Sequence, residues 1–507
     1  MDWNAKNVII KIKQIQRMKN QNIQTWVDEK DLMEESFVQN LEGQEFDPIS
    51  VESILEDEKS GFIETNRRDF LKLLGFGVGA ATLASCEAPI KKAIPYTVRP
   101  DSIIPGVANY YASTFVNGGD VCPVLVKTRE GRPIKIEGNP LASYTKGGTS
   151  ARAQASVLSL YDYNRTQNPA RVSGDGKTES ISWDELDTAV KAALVGARVR
   201  ILSSTILSPT AKKAIQDFCV KYPNSKHITY DAVSSSALLD ASQKCFGERN
   251  IPDFRFDLAD VIVSFNADFL GTWISPIEYA SQYASKRKLD SATASMSKHF
   301  QVESRMSLTG SNADNRIMVR PSEQGAAMVS LYNLIASKIG STPIPNAELN
   351  ETAKAKLNKV ADALIAAKGK SLVVCGTNNL SEQIICFGLN NILGNIGSTV
   401  SFSKPSYQRQ GSDQDFSNLI KEMQSSSVDA LIVWNANPVY DSPLAKDFTA
   451  AMANVKLKIS LNQSLDETSS VCNYVAPDHH YLESWGDAEA KRGCYSLIQF
   501  FLPSHIY

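Results

Sequence analysis

The chain has 507 residues, 43% of them hydrophobic and 21% charged, with a formal net charge of −2. That is enough apolar sequence for about two or three domains, and so balanced a charge argues against nucleic acid as a partner. The eight cysteines lie more than ten residues apart with no C-x2-C pair, which excludes a local zinc or iron–sulfur signature.

Residues 1–64 are a polar, acid-rich leader with scattered aromatics (Trp26, Phe37, Phe46) and little periodicity, the pattern of a weakly ordered segment. Residues 65–86 read differently. Arg67 and Arg68 stand side by side, followed by Asp69 and then Phe70, Leu71 and Lys72, and a glycine-rich apolar run fills 73–85. This is the form of a twin-arginine export signal, and it predicts a location on the periplasmic side of the inner membrane. The run is shorter than the roughly twenty residues of a membrane-spanning helix, so it reads as a signal core. Leu83-Ala84-Ser85-Cys86 has the form of a lipoprotein processing site, with small residues for the peptidase and the Cys86 thiol to take the lipid. Several acyl chains there would anchor the protein stably, where one holds only marginally. The bland reading is a coincidental cysteine near the end of a signal. Gly75, Gly77 and Gly79 superficially match a dinucleotide loop, but no strand precedes them and the paired arginines do.

A proline-rich connector, 87–106, leads to a small β unit over 107–180. There, apolar runs at 124–127 and 134–136 flank Arg129-Glu130-Gly131-Arg132 and predict a hairpin. From 181 onward the patterns alternate. Helices are predicted over 183–194, 209–220, 325–339, 353–367, 382–393 and 443–453. Strands are predicted over 199–203, 261–265, 317–319, 372–375, 430–434 and 458–461. Short apolar runs between amphipathic helices imply an α/β fold with doubly wound parallel sheets. A break near 340–350 divides it into units of 181–340 and 341–507. Cys375, inside a predicted strand, is expected to be a buried free thiol.

Several phrases carry more than secondary structure. In chain order they are the segment from Val126 to Pro133 with Glu137-Gly138-Asn139-Pro140, the stretch around Ser150, and Ile181-Ser182-Trp183-Asp184-Glu185. Then come the landmarks at 260–268 and 309–321, Leu393-Gly394-Asn395-Ile396-Gly397, Asn435-Ala436-Asn437-Pro438, and Tyr481-Leu482-Glu483-Ser484-Trp485-Gly486. Together, over about residues 110–499, they resemble the molybdopterin oxidoreductase superfamily of the DMSO-reductase type. The resemblance implies a DMSO-reductase-like body and, in that family, a four-iron cluster held by C-x2-C-x3-C plus one downstream cysteine.

The matching positions here are Phe115, Gly118, Cys122 and Ser150. Phenylalanine and glycine cannot ligate iron through their side chains, so no cluster is expected and Cys122 becomes a packing residue. Arg152, at the family's basic position on the electron route, becomes a structural ion-pair partner. For the family's molybdenum ligand the nearest candidates are Ser234, Ser235 and Ser236, for which a turn or helix cap is the favoured reading. Asp478, His479 and His480 invite a metal reading, but neighbouring side chains diverge, and structural packing is favoured. No catalytic residue, cofactor-binding residue or metal ligand is assigned.

The family continues past residue 499 with a domain that closes over the pterin, whereas residues 500–507 do not fit that continuation, so a truncated or frame-shifted reading is expected. The leader with Trp26 and Gln44-Glu45-Phe46, the export signal, Cys86 and the lost cluster ligands together resemble one branch. This is the large iron–sulfur subunit of the bacterial alternative complex III, a quinol-oxidising respiratory assembly. The resemblance implies that this chain is a cofactor-free scaffold half, with the iron–sulfur clusters in a ferredoxin-like second half. It also implies haem-bearing and integral membrane subunits as partners. The alternatives are an active periplasmic molybdopterin oxidoreductase and a free-standing periplasmic lipoprotein with a binding role.

Overall fold

The computed structural model describes residue 104 and residues 106–173, 176–289 and 295–500. The leader, the twin-arginine signal, Cys86, nearly all of the connector and residues 501–507 lie outside the described residues. Among the described residues no helix is long and apolar enough to cross a membrane.

The expected hairpin is formed by Asp120–Arg129 and Arg132–Gly138. Glu130 and Gly131 both take positive φ, +52° and +78°, the two-residue turn that matches strand twist and for which glycine is favoured. A third strand, Ala108–Asn117, pairs antiparallel with Asp120–Arg129. One face of this sheet carries Val124, Val126 and Ile136, which pack on Ala153, Val157 and Leu160 of the helix Ala151–Leu160.

The largest sheet has seven strands. In spatial order they are Thr178–Ser180, Ala170–Val172, Tyr474–Val475, Leu457–Ser460, Ala430–Trp434, Val199–Ser203 and Lys226–Thr229. The last five run parallel, and the first two add antiparallel at one edge. Side chains alternate across the strands, so both faces must be covered. Leu202, Leu431 and Val433 meet the helices Asp413–Gln424 and Ala445–Met452 on one face. Val199, Ala430 and Ile459 meet Trp183–Leu194 and Pro209–Lys221 on the other.

A second parallel sheet orders Asn315–Met318, Lys298–Glu303, Val261–Phe265 and Ser371–Cys375. Val261, Val263 and Phe265 face the helices Gln324–Ile339 and Glu351–Ala366, whereas Ile262 faces the opposite core with Leu238 and Tyr279. A third, antiparallel sheet joins Cys494–Ile498, Gly486–Lys491, Val400–Ser406 and Ile251–Phe254. The α/β, doubly wound character expected from the sequence is present. Cys375 is buried and free, as expected.

The expected division at 340–350 needs correction. Both parallel sheets draw strands from either side of it: Val199–Ser203 pairs with Ala430–Trp434, and Val261–Phe265 with Ser371–Cys375. Residues 341–350 are a loop between two helices that share one core. A local composition shift marks a loop, whereas strand partners are chosen by burial, which the linear sequence does not reveal.

Candidate functional site

The first hairpin brings the four degenerate cluster positions to one place. Phe115 and Cys122 are cross-strand partners, Gly118 sits in the connecting turn at φ +55°, and Ser150 caps the helix Ala151–Leu160. The Cys122 thiol is 1% exposed and lies 3.5 Å from the Gly148 carbonyl oxygen, to which it donates. Burial pushes its pKa up. The Phe115 ring stands edge-on to Tyr481 at 5.6 Å, and Leu482 joins the same core. Ser150 Oγ is committed to the Ala153 N–H at 3.1 Å. One thiol, one capping hydroxyl, a bare turn and a packed ring do not fit a four-thiolate cluster.

Arg152 forms an ion pair with Asp120, as expected of a structural partner, and Arg409 reaches the same carboxylate from the far side. Asp120 and Arg409 lie 289 positions apart, and nothing in the sequence links them. Tyr481 belongs to a quoted motif, yet only the structure reveals it as the group packed against Phe115.

Next to this plug a cleft of about 780 Å³ opens at the C-terminal ends of the seven-stranded sheet. It lies where strand order reverses, between Val199–Ser203 and Ala430–Trp434, the usual crevice of a doubly wound sheet. Asn435 turns the chain there at φ +49°, and its N–H donates to Asn462 Oδ1 at 2.7 Å. Asp231 accepts from the Thr205 N–H, the Thr205 hydroxyl and the Gly411 N–H at 3.0, 2.7 and 2.8 Å, clamping three segments. The Tyr230 hydroxyl donates to Asp441 at 2.7 Å. Burial raises the Asp441 pKa, although that donated bond pulls it back.

The lining includes Asp231, Asp441, Asp466, Asp478 and Asp487 against Arg152 and Arg409, both of which are already paired with Asp120. A phosphorylated pterin would bring further negative charge to a wall dominated by carboxylates. The cleft's charge is therefore a poor fit to that cofactor.

The second parallel sheet also reverses order, between Val261–Phe265 and Ser371–Cys375. Its crevice is closed by backbone. A Cβ on Gly376 would fall 2.3 Å from the Asn266 carbonyl oxygen, and the Gly376 N–H donates to Phe265 O at 2.9 Å. Only glycine fits so close an approach.

The serine candidates do not line the first cleft. Ser234 Oγ accepts from the Ser236 N–H at 3.0 Å, Ser235 is the cap position, and Ser236 opens the helix Ser236–Phe246. His479 is exposed and His480 buried, so the two rings diverge. His480 Nδ1 accepts from the Leu482 N–H at 3.3 Å, leaving Nε2 protonated to donate to Ser156 O at 3.1 Å. Among the described residues no group of three or more His, Cys, Asp or Glu is placed to hold a metal.

No family model matches the chain. Over 434 residues it is 25% identical to the menaquinone reductase molybdopterin-binding-like subunit of Nitratidesulfovibrio vulgaris, covering 77% of this chain and 61% of that protein. The chain is related to the molybdopterin oxidoreductase superfamily. A further relative, dopamine dehydroxylase of Eggerthella lenta, is 23% identical over 226 residues, 43% of this chain and 22% of its own length. Among solved structures, acetylene hydratase from Pelobacter acetylenicus superposes with a TM-score of 0.60 at 12% identity, covering 78% of this chain and 66% of that one. That likeness concerns the fold, which is DMSO-reductase-like. The chain spans less than two thirds of the length of each of these proteins.

Proposed function

We propose that this chain is a cofactor-free scaffold half within a quinol-oxidising respiratory complex of the alternative complex III type. Exported by its twin-arginine signal and lipid-anchored at Cys86, it sits on the periplasmic side of the membrane. There it holds a cluster-bearing ferredoxin-like half, haem-bearing subunits and integral membrane subunits at electron-tunnelling distance, and performs no bond chemistry itself. The observation that carries this reading is the Phe115–Cys122 pair packed with Tyr481 and Leu482 where the resemblance places a cluster. The similarity to a subunit named for a menaquinone reductase supports a respiratory setting.

The test is Cys122→Ala in the assembled complex. Quinol oxidation is expected to stay within about twofold and the iron content to stay unchanged. A tenfold loss of rate, on the order of 1.4 kcal/mol in the barrier, or the disappearance of an iron–sulfur paramagnetic signal would overturn it. The cleft of about 780 Å³ has the room, though not the charge, for one alternative, an active molybdopterin oxidoreductase. Stoichiometric molybdenum in the exported, purified protein would establish that alternative instead.

A further inference from the structure

The three-stranded sheet buries one face and leaves the other to solvent. Its register puts Ala108, Arg129 and Arg132 side by side in one row, and Tyr110, Lys127 and Lys135 in the next. Cross-strand partners share a face, and residues two apart on a strand share it too, so four cations and a tyrosine are gathered on one surface. The Lys127 ammonium lies 5.6 Å from the Tyr110 ring centroid. Tyr110 is 49% exposed, and Arg129, Arg132 and Lys135 are exposed as well. In the row beyond, Ala112, Leu125 and Glu137 follow, and Glu137 binds Lys135 at 2.9 Å. The face therefore carries four positive charges against Glu137, with Glu130 in the turn between Arg129 and Arg132, and an amphipathic ring.

We propose that this face docks on a membrane surface of anionic lipid headgroups. Charge complementarity is one argument. The other is where the chain comes from: the sheet begins 22 residues after Cys86, a length that spans at most roughly 75 Å. Residues Ile104 and Val107, which lead into the first strand, are each 53% exposed and add apolar contact at the same edge. An acyl anchor at Cys86, as proposed above, keeps the body within that reach, and the basic face then sets which side is turned to the lipid. The acyl anchor at Cys86 holds the body to the membrane, and the basic face adds the orientation that an anchor on a flexible connector does not set.

The experiment uses the processed chain from residue 86 onward, carrying Cys86→Ser, so that neither an acyl group nor the apolar run at 73–85 contributes, and measures partition onto phosphatidylcholine vesicles with and without phosphatidylglycerol. The parent is expected to bind the anionic vesicles and to be released by salt. Adding Lys127→Gln, Arg129→Gln and Lys135→Gln should weaken binding about 100-fold, at roughly fivefold per cation. A control that removes equal charge elsewhere, Lys191→Gln, Lys213→Gln and Lys354→Gln, should bind like the parent. The proposal is overturned if the face variant binds like the control, if the parent binds neutral vesicles equally, or if the parent does not bind. Mass spectrometry of Cys86 in protein taken from native membranes reads the anchor separately, so failure there leaves the vesicle result standing.

Discussion

At His480 and His299 burial outweighs charge. Each ring is almost fully enclosed, and desolvation pulls the pKa of both down to about 4. The unfolded chain takes up a proton at each near pH 6.5, whereas the folded chain does not until about pH 4. Stability is therefore complete above the unfolded value and is lost as pH falls from about 6.5 toward 4, by up to about 1.4 kcal/mol per pH unit for each ring. Urea midpoints measured at pH 7, 6, 5.5 and 5 should fall steadily, over a range that lies above most carboxylate titrations. His480→Gln should flatten the slope, and equal slopes in parent and variant would count against neutral burial of this ring. The same logic applies to Cys122, whose buried thiol is a packing group by virtue of where it sits.

At the scale of elements, a buried charge cluster ties three of them together. Lys491, at the end of Gly486–Lys491, lies 2.6 Å from Asp253 on Ile251–Phe254 and hydrogen-bonds Glu278 on the helix Pro276–Arg287. Glu278 also accepts from Gln282 at 3.0 Å. Burial alone would lower the Lys491 pKa, but the two carboxylates outweigh it and raise the value. Burial raises Glu278 despite Lys491. Lys491→Met strands two carboxylates out of water and should cost about 3–5 kcal/mol in urea unfolding. Adding Asp253→Asn and Glu278→Gln should recover most of that loss, and no recovery would mean that the cost lies in packing.

This cluster is also where sequence reading stops. Runs such as Val261–Phe265 and Ala430–Trp434 were legible because all their residues but Ser264 are apolar and turn signals bound them. Lys298–Glu303 was not, since its buried His299, Gln301 and Glu303 look solvent-facing until Tyr283 is seen to bond His299, Arg316 and Ser307 to bond Glu303, and Gln301 to bridge His299 and Glu303. Ala151–Leu160 was read only as a motif, because Ser, Gln and Arg dilute its helical period. At the site, Phe115, Gly118, Cys122 and Ser150 were legible position by position as the residues that the resemblance sets against cluster ligands. What fills the space was not, because Tyr481 comes from the other end of the chain.

Across the whole molecule, distant segments complete one another. Asp429 joins Arg198 through contacts of 231 positions' separation, and Ser113 exchanges hydrogen bonds with Gln499 across 386. The loop at 341–350 is mostly exposed and includes Glu348, a fit target for a glutamate-specific protease. A nick there should leave both fragments co-eluting on gel filtration until denaturant is added. Fragments that separate as two folded bodies would restore the division that the strand pairing rejects.

The interleaving has a temporal side as well. Val199–Ser203 has Lys226–Thr229 as its early neighbour, but its other edge waits for Ala430–Trp434. A ribosome must therefore have released the chain beyond Val475 before the seven-stranded sheet can close, and such long-range topologies settle slowly. Under the export proposed above, such a chain would gain from a translocase that waits for a finished shape over one that threads the chain as it emerges.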